Sequence, residues 1–230
     1  MLGSVLPSAV AWAEEFGDFA PVELFPEERA WVRDAVPRRV REFGTVRDCA
    51  RRSMGKLGVA PVPILPGTRG EPRWPPGIVG SMTHCEGFRA AAVARSGDIA
   101  SLGIDAEPDS PLSEVLLPKV ARPEERSRIT ELERSDPTVH WDRLTFSAKE
   151  SVYKAWFPLA RCRLGFLDVS LSFNPLARTF RARLYATGLF HEGKPVSTVT
   201  GNWISETGLM CTAVVIQTEV DVRYAASSRF

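Results

Sequence analysis

Residues 78–106 read IVGSMTHCEGFRAAAVARSGDIASLGIDA, and this stretch decides the fold class. Three short segments rich in strand-forming residues cover 78–85, 88–95 and 99–106. The dipeptide Glu86-Gly87 separates the first two, and Ser96-Gly97-Asp98 separates the second two. Short connections that contain Gly and Asp are typical of hairpins. The stretch therefore predicts an antiparallel meander of three strands.

Helical signals lie upstream of these strands. Pro26 opens a predicted helix that Pro37 breaks, because proline is tolerated only in the first turn. A second helix is predicted over 38–57 and ends at Gly58. The following segment, 59–77, is rich in proline and glycine, and we expect an ordered loop with apolar anchors there.

The same order of elements repeats downstream. Helices are predicted over 112–120, 123–134 and 139–157, with Pro158 ending the last one, and strands over 167–173, 179–186, 197–205 and 208–217. Helices and then strands, twice over, predict an α+β protein of two similar halves. We expect an N-terminal half at 1–102 and a C-terminal half at 103–220.

Composition excludes several classes of protein. The chain has 230 residues, of which 44% are hydrophobic and 25% are charged, as in ordinary globular proteins rather than disordered ones. The formal net charge of +1 argues against a protein that coats nucleic acid. The sequence contains no apolar run of about 18 residues, so no membrane-spanning helix is expected.

Cysteine usage and the first residues indicate the compartment. The four cysteines form no CxxC pair, so we expect free thiols and a cytoplasmic protein; they are Cys49, Cys85, Cys162 and Cys211. The apolar stretch 2–13 has no Lys or Arg ahead of it and contains Pro7, and Glu14 follows it. We therefore expect no signal peptide.

A cluster of basic residues lies on the second predicted helix and just before it. Its members are Arg33, Arg38, Arg39, Arg41, Arg47, Arg51, Arg52 and Lys56. One interpretation is a solvated helix face. The other is a local positive field that binds a strongly anionic ligand.

Two acidic residues lie at the end of the third predicted strand. Asp105 and Glu107 are two positions apart, so both side chains point to the same side of the strand. Two converging carboxylates repel each other unless a cation lies between them, and Mg²⁺ prefers oxygen ligands. The alternative is a pair of solvated acids at the entry to a loop.

The segment FSAKESVYKA at 146–155 carries a second charged group. On a helix, Glu150 and Lys154 are four positions apart and share a face. A surface ion pair is the simplest interpretation. However, large apolar residues nearly encircle this helix, and a charged pair on a mostly buried helix is more often functional. We expect Lys149 to point elsewhere, into solvent.

The segment GSMTHC at 80–85 carries a third group. Ser81, Thr83 and His84 could donate hydrogen bonds to a phosphate. The alternative is a half-buried histidine whose hydrogen bonds are made inside the protein.

In combination the three motifs are specific. Gly-Ser-x-Thr-His, then Gly-Ile-Asp-x-Glu, then Phe-Ser-x-Lys-Glu-Ser-x-Tyr-Lys resembles the 4′-phosphopantetheinyl transferase superfamily. It is similar in particular to the single-chain type, in its actinobacterial branch, that activates polyketide and nonribosomal peptide synthases. Flanking segments agree, and the resemblance covers about residues 38–217. It implies two pseudo-symmetric α+β halves with a nucleotide cleft between them.

The resemblance also implies a reaction and a set of site residues. The family transfers 4′-phosphopantetheine from the substrate coenzyme A to a carrier serine, and 3′,5′-ADP is released. Asp105, Glu107 and Glu150 would bind Mg²⁺, which Mn²⁺ can replace. Glu150 and Lys154 would be catalytic, and Lys154 would also contact phosphate. By the same resemblance, the other coenzyme A contacts would be Arg47, Arg51, Arg69, Ser81, Thr83 and His84.

One position departs from the family pattern. Many relatives outside the actinobacterial branch carry Gly-Lys-Pro where this chain has Gly70-Glu71-Pro72. The basic role would then pass to Arg69 or Arg73, and the sequence does not choose between them.

The expected partners are acyl and peptidyl carrier domains of fatty-acid, polyketide or nonribosomal peptide synthases. A carrier would dock on the helical stretch 112–135, where arginines border apolar residues, although an ordinary amphipathic helix pair explains the same pattern. A chain of this length carries both halves, so we expect a monomer. Two rival functions remain open: a Mg²⁺-dependent hydrolase of a nucleotide pyrophosphate, and a non-catalytic carrier-binding protein.

Overall fold

A computed structural model of the chain describes residues 1–17, 22–191 and 194–218. Two antiparallel sheets of three and five strands form its framework, with helices packed against both. A separate two-stranded ribbon comes in the sequence between the third and fourth strands of the larger sheet. This arrangement confirms the predicted α+β class.

The smaller sheet contains strands β1 (Ala11–Phe16), β2 (Ile78–Cys85) and β3 (Phe88–Arg95), in the order β1-β3-β2. The predicted β2–β3 hairpin is confirmed, and Gly87 at its turn has φ of 74°. The central strand, β3, is buried at every position except its last. Strand β1 was not predicted from the sequence.

Two helices precede this hairpin. They are α1 (Pro26–Trp31) and α2 (Pro37–Lys56), and each begins with proline in its first turn. Helix α2 packs against β1 and β3 and ends before Gly58, whose φ is 71°. The prediction of α2 is confirmed to within one residue at each end. Helix α1 ends at Trp31, several residues before Pro37, so Pro37 starts α2 rather than breaking α1.

The larger sheet has the order β4-β10-β9-β6-β5. Its strands are β4 (Ile99–Pro108), β5 (Val169–Asn174), β6 (Thr179–Leu184), β9 (Thr198–Glu206) and β10 (Leu209–Gln217). The ribbon pairs β7 (Phe190–His191) with β8 (Lys194–Pro195).

The predicted three-strand meander is wrong at its third strand. Strand β4 pairs with β10 rather than with β2 or β3. Side chains of β2 take the place of a backbone ladder, because the N–H of Ile104 donates to Ser81 Oγ at 3.1 Å and the N–H of Ala106 donates to Thr83 Oγ1 at 3.0 Å. These two hydroxyls join the sheets where a sequence pattern would place a third strand.

Three helices connect β4 to β5: α3 (Leu117–Val120), α4 (Pro123–Ser135) and α5 (Trp141–Ala160). Helix α3 is a single turn, shorter than the predicted 112–120. The prediction that Pro158 ends the last helix is also wrong, because α5 continues to Ala160. A proline in the last turn removes few helical hydrogen bonds, and buried Phe157 and Ala160 hold that turn in place.

The main core surrounds α5. Trp141 and Trp156 are among its fully buried side chains. Strand β4 lies directly against this helix, and a Cβ added at Gly103 would meet the carbonyl oxygen of Ser151 at 2.0 Å. This contact brings the acidic end of β4 beside the charged face of α5.

Two further observations concern the whole described chain. All four cysteines are free, as predicted. Among the described residues, none of the helices has the length and apolar character needed to cross a bilayer.

Candidate active site

A cavity of about 960 Å³ lies between α2, β2, the loop at 66–73 and α5. Its walls bring together residues far apart in the sequence. Among them are the predicted site residues Arg47, Arg69, Ser81, His84, Glu150 and Lys154.

Asp105, on β4, does not itself line the cavity, but its side chain contacts Lys154, which does. The residue is only 4% exposed. Lys154 Nζ donates to its Oδ1 at 2.7 Å and to the carbonyl oxygen of Ile104 at 3.1 Å. The second oxygen, Oδ2, is buried and has no hydrogen-bond partner among the described residues. A buried carboxylate oxygen without a donor is costly, so this atom is available to a ligand.

Glu107 lies two positions along β4, on the same side of the strand. Arg143 Nη1 donates to its Oε2 at 3.1 Å, and the same guanidinium is bonded to the carbonyl oxygens of Ser110 and Pro111. Burial raises the pKa of Glu107 to about 7, and the charge of Asp105 adds to this rise. Glu107 and Asp105 are therefore close enough to repel each other.

Glu150 and Lys154 project from the same face of α5, one turn apart. Burial raises the pKa of Glu150; the cation of Lys154 opposes this rise and the anion of Asp105 adds to it. The carboxylate of Glu150 lines the cavity and is only partly exposed. A carboxylate whose pKa is raised in this way is a stronger proton acceptor than an exposed one.

The carboxylates fit a divalent cation, but not as a closed cage. Within the described ranges, no three His, Cys, Asp or Glu side chains are grouped closely enough to hold a metal ion by themselves. Mg²⁺ usually binds to one or two carboxylates together with substrate phosphates and water. The unpartnered Oδ2 of Asp105, with Glu107 and Glu150 electrostatically coupled to it, suits such an open site.

Lys149 contradicts the prediction of a solvated side chain. It is 2% exposed, and its Nζ donates to Glu125 Oε2 at 2.7 Å and to the carbonyl oxygens of Val120, Phe166 and Val169. Burial lowers its pKa, and Glu125 opposes that change. The pattern of apolar residues around this helix could have indicated the burial, but not the buried partner on α4.

The two predicted arginines of α2 have different surroundings. Arg47 lines the cavity and is buried, with its guanidinium 3.1 Å from the ring centroid of Phe43 and its Nε bonded to the carbonyl oxygen of Ile64. Burial lowers its pKa to about 9. Arg51 does not line the cavity, and its Nη1 donates to both carboxylate oxygens of Glu28 at 3.1 Å.

His84 is at the end of β2, where it lines the cavity. Arg39 Nη1 lies 3.1 Å from its Nε2, and Glu42 Oε2 lies 3.9 Å from the same atom. Burial and then the Arg39 cation lower the pKa of His84. Arg39 was not among the predicted site residues, although it shares a helix face with Phe43 and Arg47 at spacings of four, which could have identified it.

The hydroxyls of Ser81 and Thr83 are already engaged inside the protein. Both accept backbone N–H groups of β4, and Thr83 Oγ1 also lies 3.4 Å from Asp105 Oδ1. Ser81 lines the cavity, whereas Thr83 does not. Their position ties β2 to the acidic strand.

The loop at 66–73 closes one side of the cavity. Arg69, Glu71 and Arg73 all line it. Glu71 accepts the backbone N–H of Arg69 and lies 3.6 Å from the guanidinium of Arg161. Arg161 follows α5 in a left-handed conformation, with φ of 50°, and the sequence carries no signal for its place in this cavity.

Two family models match this chain. Residues 27–94 match the 4′-phosphopantetheinyl transferase N-terminal domain, and residues 101–200 match the 4′-phosphopantetheinyl transferase superfamily. The second match includes Asp105, Glu107, Glu150 and Lys154.

Several characterised proteins are similar over nearly the whole chain. The 4′-phosphopantetheinyl transferase Svp of Streptomyces mobaraensis is 51% identical over 94% of this chain and 89% of its own length. The 4′-phosphopantetheinyl transferase PptT of Mycobacterium tuberculosis is 42% identical over 94% of this chain and 98% of its own. The 4′-phosphopantetheinyl transferase Npt of Nocardia iowensis is 39% identical over 93% and 99%.

Proposed function

The chain belongs to the 4′-phosphopantetheinyl transferase superfamily, and from this premise we propose that its cavity binds coenzyme A and that its acidic cluster binds Mg²⁺. The chain is a transferase that moves 4′-phosphopantetheine from coenzyme A to a carrier protein. The observation that carries the assignment of the site is the buried, unpartnered Oδ2 of Asp105 beside Lys154 and near Glu150.

Asp105, Glu107 and Glu150 would hold the metal ion together with pyrophosphate oxygens. Mg²⁺, or Mn²⁺ in its place, would supply charge neutralisation for the pyrophosphate when bound. Lys154, whose amine already reaches the rim of this cluster, adds a protein cation to the same charge.

Glu150 is the residue that we assign to the proton of the acceptor serine. The serine oxygen bonds to the phosphorus next to pantetheine, and the bond from that phosphorus to the bridging oxygen breaks. 3′,5′-ADP leaves with the bridging oxygen, while the serine proton passes to Glu150 directly or through a water molecule. The raised pKa of Glu150 matches this task.

The N-terminal half, 1–102, would bind the phosphates of coenzyme A, and the C-terminal half, 103–220, would carry the metal site and catalytic helix. Arg47, Arg69 and His84 line the cavity wall that the first half provides, and Arg39 adds a third guanidinium beside the imidazole. Arg51 would act indirectly: it holds the carboxylate of Glu28, and the same carboxylate also contacts Arg47. Ser81 and Thr83 would hold β2 at the correct distance from Asp105.

The acceptors would be carrier domains of fatty-acid, polyketide or nonribosomal peptide synthases. The match to this chain covers 89% of the length of Svp and 98% of that of PptT. This coverage supports a site formed within one chain, and we propose a monomer. Free cysteines and the need for coenzyme A support action in the cytoplasm.

The first test is intact-mass spectrometry of apo carrier domains incubated with this protein, coenzyme A and Mg²⁺, with EDTA as the control. We expect a gain of one phosphopantetheine that EDTA abolishes. Glu150→Gln and Asp105→Asn should each lower turnover by about a thousandfold or more, because each removes a charge that acts in the transition state, while circular dichroism stays unchanged.

Other outcomes separate the rival functions. Consumption of coenzyme A without any modified carrier would indicate a pyrophosphate hydrolase. Carrier binding without consumption, preserved in both variants, would indicate a non-catalytic binding protein. Near-normal transfer by either variant would overturn the assigned metal site.

A further inference from the structure

We propose that Trp31 is a substrate-binding residue whose indole ring stacks on the adenine of coenzyme A. Trp31 is the last residue of α1, and it lines the cavity. The inference rests on the proposed function and adds to it a residue that determines which donors the enzyme binds well. All three sequence motifs lie beyond residue 79, so none of them includes Trp31.

Trp31 is exposed, although its immediate neighbour in the chain is buried. Its exposure is 61%, whereas Val32 is 5% exposed and belongs to a small core with Leu24 and Phe43. The indole therefore adds little to that core. Other large apolar side chains are exposed too, but in the part of the chain that the structure describes Trp31 alone among them lines the cavity. Ligand pockets are typically lined by aromatic side chains, so this position favours a role in binding.

The backbone that carries Trp31 is firmly anchored. Glu28, one turn earlier in α1, is fully buried. Its carboxylate accepts hydrogen bonds from the N–H of Ile64 at 2.8 Å, from Arg51 Nη1 at 3.1 Å and from the N–H of Phe25 at 3.2 Å. These bonds fix α1 against α2 while the indole stays open to solvent. A group that is positioned before the ligand arrives costs less free energy to engage than one on a mobile segment.

The other aromatic residues at the cavity are already engaged within the protein. Trp74 donates its Nε1–H to the carbonyl oxygen of Gly80 at 2.9 Å. Tyr153 and Phe157 pack on each other along α5, with ring centroids 5.7 Å apart. The ring of Trp31 differs, because it makes neither a hydrogen bond nor an aromatic contact with any described residue.

Phe43 is the second aromatic residue of α1 and α2 at the cavity, and it cannot take this role. It is 4% exposed, and the guanidinium of Arg47 lies 3.1 Å from its ring centroid. A ring that is buried and covered by a cation has no free face for a nucleobase. Trp31 is therefore the aromatic face that these two helices offer to a ligand.

The chemistry of coenzyme A brings its adenine close to the cations of this wall. The adenine and the 3′-phosphate are attached to the same ribose, so the base lies near any group that holds that phosphate. Arg39, Arg47 and His84 line the cavity from α2 and β2, and Trp31 lines it from α1. Cations that bind phosphate and an aromatic ring that binds the base thus lie on adjoining elements.

Stacking supplies what the cations cannot. Adenine is uncharged, so arginines that attract the phosphates do not hold it in place. An aromatic side chain binds the flat face of a base and adds affinity without reading its edges. The ring of Trp31 thereby favours coenzyme A over anions that carry phosphate but no base.

The test compares Trp31→Ala with the wild-type protein, and Val36→Ala is the matched control. Val36 precedes α2, is 67% exposed and does not line the cavity. Calorimetry would measure the Kd of 3′,5′-ADP and that of inorganic pyrophosphate with Mg²⁺. We expect Trp31→Ala to raise the Kd of 3′,5′-ADP by about tenfold or more, and to leave that of pyrophosphate within about twofold.

Transfer assays and fluorescence separate a binding role from a structural one. Trp31→Ala should raise the KM for coenzyme A while kcat and the KM for an apo carrier domain stay unchanged, because the base does not react. Trp31→Phe should recover most of the lost affinity, since a phenyl ring also stacks. Binding of 3′,5′-ADP should quench tryptophan emission in the wild type, and this quenching should be absent from Trp31→Phe.

Each contrary result has a definite meaning. Equal Kd values for 3′,5′-ADP in Trp31→Ala and Val36→Ala would overturn the stacking role. A higher KM for the carrier with unchanged nucleotide affinity would also overturn it, because the ring would then contact the acceptor. If the wild-type protein binds neither 3′,5′-ADP nor coenzyme A, the proposed function itself is wrong, and the inference fails with it.

Discussion

At the residue scale, Lys149 and Glu150 are adjacent yet have opposite environments. Lys149 has four oxygen acceptors around its amine and is sealed from water. Glu150 faces the cavity and keeps an elevated pKa through burial. A buried cation with all its donors satisfied fixes structure, whereas a partly desolvated carboxylate at a cavity is suited to chemistry.

We predict that Lys149→Met destabilises the protein by about 3–5 kcal/mol, because Glu125 would be left buried without its cation. The free energy of unfolding would be measured by urea denaturation. Lys119→Met is the control, because Lys119 is exposed on α3. A double variant, Lys149→Met with Glu125→Gln, should recover part of the loss. Equal stability of Lys149→Met and the control would contradict the buried pair.

The basic cluster of α2 makes a separate prediction. Arg39 lines the cavity beside His84, whereas Arg33 is exposed and lies 3.6 Å from Asp34. Arg39→Ala should raise the KM for coenzyme A by about tenfold, since a charge-assisted contact to phosphate is lost. Arg33→Ala should leave it within about twofold. Steady-state kinetics at saturating carrier would measure both, and equal effects would show that only the general field of the cluster matters.

At the element scale, the proposed active site depends on the contact between β4 and α5. Asp105 and Glu107 end the strand, and Glu150 and Lys154 lie on the helix. Gly103 allows the two elements to touch, because a Cβ there would meet the backbone of Ser151 at 2.0 Å and the nitrogen of Ala155 at 2.6 Å. Backbone atoms of a packed helix cannot move aside as a flexible side chain can.

We predict that Gly103→Ala lowers both stability and turnover, because α5 must shift away from β4. The loss of stability should be about 1–3 kcal/mol, as for other overpacked sites, and turnover should fall by about a hundredfold as the catalytic groups separate. Gly97→Ala is the matched control, since an added Cβ there meets nothing within 4 Å. Thermal unfolding and transfer assays would measure both effects. Unchanged turnover in Gly103→Ala would show that the helix position is not critical.

The sequence pattern predicted this contact only in part. Alternation placed Asp105 and Glu107 on one side of a strand end, and the apolar surroundings of α5 indicated a buried helix. The prediction paired β4 with the β2–β3 hairpin, whereas β4 belongs to the larger sheet. The difference was missed because the side-chain hydroxyls of Ser81 and Thr83 replace backbone pairing and leave no periodic signal in the sequence. Helix α3 was predicted too long. Of the apolar residues at 112–120, Leu112 and Val120 are buried whereas Val115 and Leu116 are exposed, so they do not form one helix face that packs on the core.

At the scale of the whole molecule, the cavity draws polar side chains from both sheets and their helices. Arg39 and His84 belong to α2 and β2, whereas Glu150 and Lys154 belong to α5, where Lys154 contacts Asp105 of β4. The hydroxyl bridges between β2 and β4 hold the two groups at a fixed separation. Coenzyme A carries phosphates at two positions. In the proposed site it would contact the residues of α2 and β2 and those of β4 and α5 at once, and only the folded protein brings these residues together.

This arrangement predicts that coenzyme A and Mg²⁺ stabilise the fold together. At a concentration of coenzyme A near 100 times its Kd, binding to the native state alone contributes about 2.7 kcal/mol. For a chain of this length, that corresponds to a rise in Tm of roughly 5–10 °C. Mg²⁺ alone should raise Tm far less, because the carboxylates do not form a closed metal cage without the pyrophosphate.

The measurement is differential scanning calorimetry of wild type and Asp105→Asn with coenzyme A, Mg²⁺, or both. In the wild type, the combined shift should exceed the sum of the separate shifts, because in the proposed site the carboxylates and the pyrophosphate would bind the metal ion together. In Asp105→Asn, coenzyme A should still raise Tm through Arg39, Arg47 and His84, but Mg²⁺ should add little to it. A Mg²⁺ increment of equal size in both proteins would contradict the role of Asp105, since the ion would then be bound elsewhere.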